Sequence, residues 1–196
     1  MNNTFYIQSY CEIRDGAIRL NGEEVFSAEA ESFADFAKQA YHHFETGYPK
    51  FFKMDKLSKL AFLAASRLLT EGSNTALVFA NRSASLDTDL VYQQSIGDKE
   101  AYYPSPAVFV YTLPNICLGE ISIKYKLYSE NGFFVFENFP AAFFPAYAHT
   151  LIRTGKADDV LCGWVEMLGE EYRALVYRVG KQGLMEHNEQ NLNRWI

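Results

Sequence analysis

Residues 132–167 read GFFVFENFPAAFFPAYAHTLIRTGKADDVLCGWVEM. An apolar run opens the stretch, apolar residues at helical spacing fill its middle up to Gly155, and a second apolar run closes it. Continuous apolar runs are the pattern of strands covered on both faces, and two of them joined through a helix make a parallel β–α–β unit. The reading predicts a strand over 132–138, a helix over 138–155 and a strand over 158–167. Working outward, TALVFA at 75–80 is a third strand of the same kind and YRALVYRVG at 172–180 a fourth.

Helices fill the spaces between. Phe33, Phe36, Ala37, Ala40, Tyr41 and Phe44 fall on one face of a helix over 31–46. Asp55 is placed to cap a second helix, in which Leu57, Leu60, Ala61, Ala64, Leu68 and Leu69 form the buried stripe before Gly72 stops it. Residues 86–97 are compatible with a third, followed by a loop through 102–115. TFYIQS at 4–9 is a strand, and Asp15-Gly16 is a hairpin turn signal behind it. Ile121, Ile123, Tyr125 and Leu127 alternate with polar residues, a strand by period. The tail from Leu184 is polar and expected at the periphery. The expected fold class is α/β: a single domain over 1–196 with a mixed, mostly parallel sheet and helices on both faces.

The chain has 196 residues and a net charge of -6, against the basic face that phosphate recognition requires and against a polybasic membrane anchor. No apolar stretch approaches the roughly 18 residues of a span, and no secretory signal opens the chain. Cys11, Cys117 and Cys162 are odd in number and far apart, as in reduced, cytoplasmic proteins, and no C-x-x-C suggests zinc. His42 and Glu45 share a helix face without a second cluster, so no metal is expected. Neither a P-loop, a G-x-S-x-G elbow nor a G-x-G-x-x-G is present, and no cofactor is expected. Asp158 and Asp159 are neighbours on a strand and point to opposite faces, so they are not a carboxylate pair. With 16 Phe, 13 Tyr and 2 Trp, the chain is richer in aromatics than one core of this size demands.

Three segments in order carry a resemblance. KMDKLSKLAFLAASRLL (53–69), PSPAVFVYTLPNICLGEISIKYKL (104–127) and LIRTGKADDVLCGWVE (151–166) resemble the N-terminal half of a β-ketoacyl-ACP synthase, a condensing enzyme of the thiolase fold. The resemblance is strongest over 53–166. It implies a thiolase-like half domain, a helix rather than a strand starting near Asn115, and a nucleophilic cysteine at a strand-to-helix elbow. Counting back from Arg153, Gly155, Ala157 and Asp158 places Asn138 at that elbow, with Phe136 and Glu137 before it and Phe139, Pro140, Ala141 and Ala142 in place of the family's glycine-rich turn.

A carboxamide cannot become an acyl thioester at neutral pH, because its nitrogen lone pair is delocalised. The family's paired His or His/Asn residues belong to a second half-domain, and this chain is expected to end before it; His42, His43, His149 and His187 match none of them. By its own chemistry Asn138 is a good helix N-cap, and Glu137 would be costly if buried without a partner. The resemblance further implies that Phe133, Phe134, Val135 and Phe136 form the strand that pairs with its copy across a dimer axis. The expectation is a synthase-like protein of fatty-acid or polyketide-type biosynthesis, catalytically incompetent alone. It would act as a chain-length-factor-like subunit, either as a homodimer or with a full-length ketosynthase, with an acyl carrier protein as a further partner. Two other readings stay open: a free-standing dimeric acyl-binding protein, and an acyltransferase using residues that the family does not, such as Cys117 or Cys162.

Overall fold

The computed structural model describes residues 4–100 and 102–195. β1 (Tyr6–Arg14) turns through Asp15 and Gly16 into β2 (Ala17–Leu20). Arg14 pairs with Ala17, and both turn residues have positive φ, 51° and 69°, the tight turn whose twist suits two strands. Glycine is required at 16, since a Cβ there would stand 2.8 Å from the carbonyl oxygen of Ala28. Asn21 and Gly22 repeat the device into β3 (Glu23–Ser27), a second hairpin that carried the same dipeptide signal.

α1 (Phe33–His43) is capped by Ser32, whose side chain accepts from the Asp35 amide, and it buries the five apolar residues from Phe33 to Tyr41 that periodicity selected. α2 (Lys56–Ala65) is capped by Asp55 as expected, but eight of its ten residues are buried rather than a single stripe. A helix apolar all round lies inside a protein. It ends at Ala65, short of Gly72, which sits in a later turn at φ 76°.

β4 (Thr75–Asn81) is buried along its whole length. α3 (Leu86–Gly97) follows as predicted, and the segment expected to be a loop contains α4 (Pro106–Val110), with Ser105 as cap and proline at its first position. α5 (Ile116–Tyr125) replaces the strand that alternation suggested; Ile121 is buried while Ile123 is 62% exposed, so the apolar residues do not share one face. β5 (Asn131–Val135) leads through residues 136–142 to α6 (Phe143–Arg153). β6 (Asp159–Leu168), β7 (Glu171–Gly180), the two-residue β8 (Met185–Glu186) and the short α7 (Glu189–Leu192) complete the order.

One sheet carries the strands in the order β3-β2-β1-β7-β6-β4-β5, with β8 also on β1. The fold is α/β with a mixed sheet, as expected, but the parallel share is smaller than "mostly parallel". β4 runs parallel to β5 and β6, and the other pairings are antiparallel: tight hairpins join β1 to β2, β2 to β3 and β6 to β7, and β1 meets β7 and β8 from far along the chain. Helices cover both faces. Leu77 and Phe79 of β4 face α1, α2 and α5, whereas Ala76, Val78 and Ala80 face α6. Gly163 lies beside Phe79, whose ring is 3.0 Å from where a Cβ would stand.

The tail is not peripheral. Leu192 and His187 are buried, and Trp195 packs on Tyr10 and Tyr177 at 4.8 and 5.7 Å. Few apolar side chains in a polar stretch are enough to anchor it. Among the described residues no helix is long and apolar enough to cross a membrane.

Asp55 ties the elements together: one oxygen accepts from the Ser58 amide at 2.9 Å and the other from the Thr88 hydroxyl of α3 at 2.8 Å. Burial raises its carboxyl pKa, while the bonds from Ser58 and Thr88 oppose that. Asp55→Ala removes a cap and orphans Thr88, so thermal melts should show a loss of about 2 kcal/mol, whereas Asp35→Ala at the exposed start of α1 should cost less than half as much.

Candidate functional site

β4, β5 and β6 point the same way, and ligands of such sheets gather at the carboxyl ends of parallel strands. At that end Asn81 closes its own turn: its side-chain amide donates to the Ala84 carbonyl at 2.9 Å and its side-chain oxygen accepts from the Ala84 amide at 2.8 Å. The Phe136 amide donates to the Asn81 carbonyl at 2.9 Å, which fixes where the chain leaves β5. The Arg82 amide donates to Glu166 on β6 at 2.7 Å.

The elbow itself spans residues 136–142. Phe139 turns inward against Trp164 and Phe144, with centroids 5.9 and 5.4 Å away, over a small cleft that Arg173 and Leu175 also line. Phe134 and Phe136 rest on Phe143, and Phe134 also meets Tyr147 at 5.3 Å. Glu137 and Asn138 are both exposed. Asn138 therefore does not cap the helix. α6 begins five residues later at Phe143, with Ala142 in the cap position and the Phe143 and Phe144 amides donating to the Pro140 carbonyl. Pro145 is the reason. It lacks an N–H and fits only a first turn, so a helix starting at 138 would have broken there.

β5 was expected to be a fully buried strand. It is instead the last strand of the sheet among the described residues, with Gly132, Phe133 and Phe134 half-buried and Val135 55% exposed. The Leu77 amide donates to the Glu130 carbonyl and the Phe136 amide to Asn81, so alternation turns the amides of Phe133 and Val135 away from β4.

Two further clusters were invisible in the sequence. His149 of α6 and His187 of the tail face each other, Nε2 to Nδ1, at 3.1 Å, and His187 Nε2 lies 3.4 Å from the Tyr177 hydroxyl. Burial and then the neighbouring His149 depress the His187 pKa to about 3. These residues are 38 and 10 positions apart, so no local pattern could have joined them. The second is a cavity of about 260 Å³ between the start of α2, α3 and α4, lined by Met54, Asp55, Asp87, Thr88, Val108 and Tyr111 among others. Behind it the Tyr111 hydroxyl donates to buried Glu120 at 3.0 Å, and Lys50 pairs with the same carboxylate at 2.9 Å.

The three thiols are all buried in different parts of the core. Burial pushes the Cys11 thiol up to about 12 and those of Cys117 and Cys162 upward as well. Thiols so desolvated are not nucleophiles at neutral pH. Asp159, expected to be unpaired with Asp158, bonds Thr75 at 2.7 Å and Arg178 at 2.6 Å and holds β4, β6 and β7 in register. Among the described residues no three His, Cys, Asp or Glu side chains converge on a metal-sized site.

No family model and no curated protein matches the chain in sequence. Solved structures do match in shape. The ishigamide ketosynthase/chain length factor superposes with a TM-score of 0.67 at 15% identity, over 90% of this chain and 62% of that one. The structure of the ketosynthase ApeO in complex with its chain length factor ApeC from Xenorhabdus doucetiae gives 0.60 at 16% identity, over 92% and 80%. A beta-ketoacyl synthase from Burkholderia phymatum gives 0.58 at 11% identity, over 98% and 61%. The chain thus spans under two thirds of the length of two of these three. Its architecture, a mixed sheet between helices with an elbow after an edge strand, is the thiolase-like fold of ketosynthases and chain length factors.

Proposed function

We propose that residues 1–196 act as one ketosynthase-like subunit that carries no acyl group of its own. It works beside a condensing partner in polyketide or fatty-acid-type synthesis, as chain length factors do. The observation that carries this reading is the elbow: an exposed asparagine stands where the resemblance would put a cysteine, just beyond a strand that is the last of the sheet among the described residues. Acyl transfer needs a thiolate at the start of the elbow helix, where the helix dipole lowers its pKa. Asn138 supplies no such atom, and the three thiols that exist are sealed in the core. Two of the structures that match in shape, each of a ketosynthase with a chain length factor, support the partner role. An acyl carrier protein is the natural third component.

β5 is the proposed joint. An apolar edge strand with outward amides pairs with another strand or aggregates. Antiparallel pairing of Phe133, Phe134, Val135 and Phe136 with a second copy, or with the same strand of a ketosynthase, would extend the sheet through a dimer.

Val135→Pro tests the joint, because proline on an edge strand removes only the outward amide and leaves the fold able to form. Co-expressed with a ketosynthase of the same pathway, the wild-type chain should elute with it at equal stoichiometry. The variant should elute alone with an unchanged melting temperature, and a complex that survives Val135→Pro would refute pairing through β5. The absence of an acyl nucleophile is checked separately. A thiol reagent or an acyl thioester at pH 8 should leave the native protein unlabelled over an hour, and the reagent should modify three cysteines after denaturation. Rapid labelling of native protein that is lost in Cys117→Ala or Cys162→Ala would instead support an acyltransferase.

A further inference from the structure

The segment after β7 folds back over the face of the sheet that α6 covers. Three hydrogen bonds hold it, from the Leu184 amide to Ile7, the His187 amide to Phe5 and Arg173 to the Trp195 carbonyl, at 2.7, 2.8 and 2.8 Å, and Leu192 and Trp195 are its apolar anchors. The approach is close enough that a Cβ on Gly183 would stand 2.2 Å from the Ile7 carbonyl oxygen. His149 and His187 join this segment to α6 through their facing ring nitrogens. We infer that this seam is a proton-operated latch, closed while the facing nitrogens share one hydrogen and opened when each carries its own.

The geometry dictates the sense. In the closed state His149 Nε2 and His187 Nδ1 share one hydrogen, one ring donating and the other accepting, and His187 Nε2 faces the Tyr177 oxygen at 3.4 Å. Tyr177 in turn lies against the Cys162 thiol, so the sheet offers no carboxylate to receive a positive His187. From α6, Arg153 adds positive charge near His149, and from the tail Glu186 opposes it. A hydrogen on each of the facing nitrogens puts two donors face to face at 3.1 Å, and the attraction becomes repulsion. Burial first, and then Arg153 for His149 and His149 for His187, lower both pKa values in the closed state. A released tail returns both to about 6.5. The open state therefore binds more protons, and the closed state loses ground as pH falls below that value. The open fraction should rise up to about tenfold per pH unit for each proton taken up. Opening breaks the two-residue β8 and leaves β1 paired to β7, so it is local.

Hydrogen exchange followed between pH 7.5 and 5, corrected for intrinsic rates, tests the latch on the whole chain. Amides of 184–192 should lose protection by about tenfold or more per pH unit below 6.5, while amides of β6 and β7 should not follow. His187→Gln, which cannot titrate, should flatten that dependence, and His149→Gln, on a half-buried helix face, should make it shallower. Equal loss of protection in tail and sheet would overturn the inference, as would a wild-type slope in either variant. Should His187→Gln fail to fold, His149→Gln decides alone.

Discussion

Parallel pairing of β4 to a strand on each side is the constraint from which the rest of the architecture follows. Two parallel neighbours cannot be joined by a tight turn; each needs a crossover, and crossovers are right-handed. The chain steps from β4 outward to β5, then back across β4 to β6. Two crossovers of one hand that travel in opposite directions must lie on opposite faces. The first, through α3, α4 and α5, therefore packs with α2 on one side, and the second, α6, takes the other. β4 is covered twice and is buried along its whole length, and the elbow before α6 follows the carboxyl end of the last strand of the sheet among the described residues.

That placement decides what chemistry the elbow can host. Its inner wall is aromatic, built from Phe139, Phe144 and Trp164, and Arg173 lines the cleft beside them. Its outward residues, Glu137 and Asn138, are in water. The rings of Phe139 and Phe144 stabilise by apolar burial and offer no donor to a developing oxyanion, and an exposed carboxamide is neither base nor nucleophile. The three thiols are sealed in the core, and His149 and His187 meet in the seam beneath the tail.

Legibility followed locality. The buried strands at 75–80 and 159–168, the Asp15-Gly16 turn, the cap at Asp55 and the amphipathic face of α1 are each written in residues within a few positions of one another. The Asn21-Gly22 hairpin and the Ser105-Pro106 start of α4 were written in the same code and were available to it. The alternation at Ile121–Leu127 misled because a period of two over four residues is also produced by a helix with one exposed isoleucine. Asn138 illustrates competition between signals: its capping propensity is real, yet Pro145 sets the helix start, since a missing N–H is tolerated in only one turn. The histidine pair and the role of the tail were out of reach. Their contacts join residues that only the completed sheet brings together.

The two edges of the sheet are protected unequally, and the difference is the strongest physical argument that β5 meets another strand. At the far edge β3 carries Glu23 and Glu24 on exposed positions, and Arg19 pairs with Glu24 at 3.1 Å. Charged side chains on an edge make a second strand costly to dock. β5 has no charge from Asn131 to Val135, no proline and no bulge in its register with β4. Its side chains Phe134 and Phe136 are half-sheltered by Phe143 and Tyr147, which leaves the backbone edge and Val135 as what it presents. A protein with net charge -6 can stay dispersed with one such edge, because like charges keep copies apart at long range. Repulsion of that kind does not satisfy amides. Only another strand pairs all of them at once, so the edge left without charge is the one on which a partner gains most.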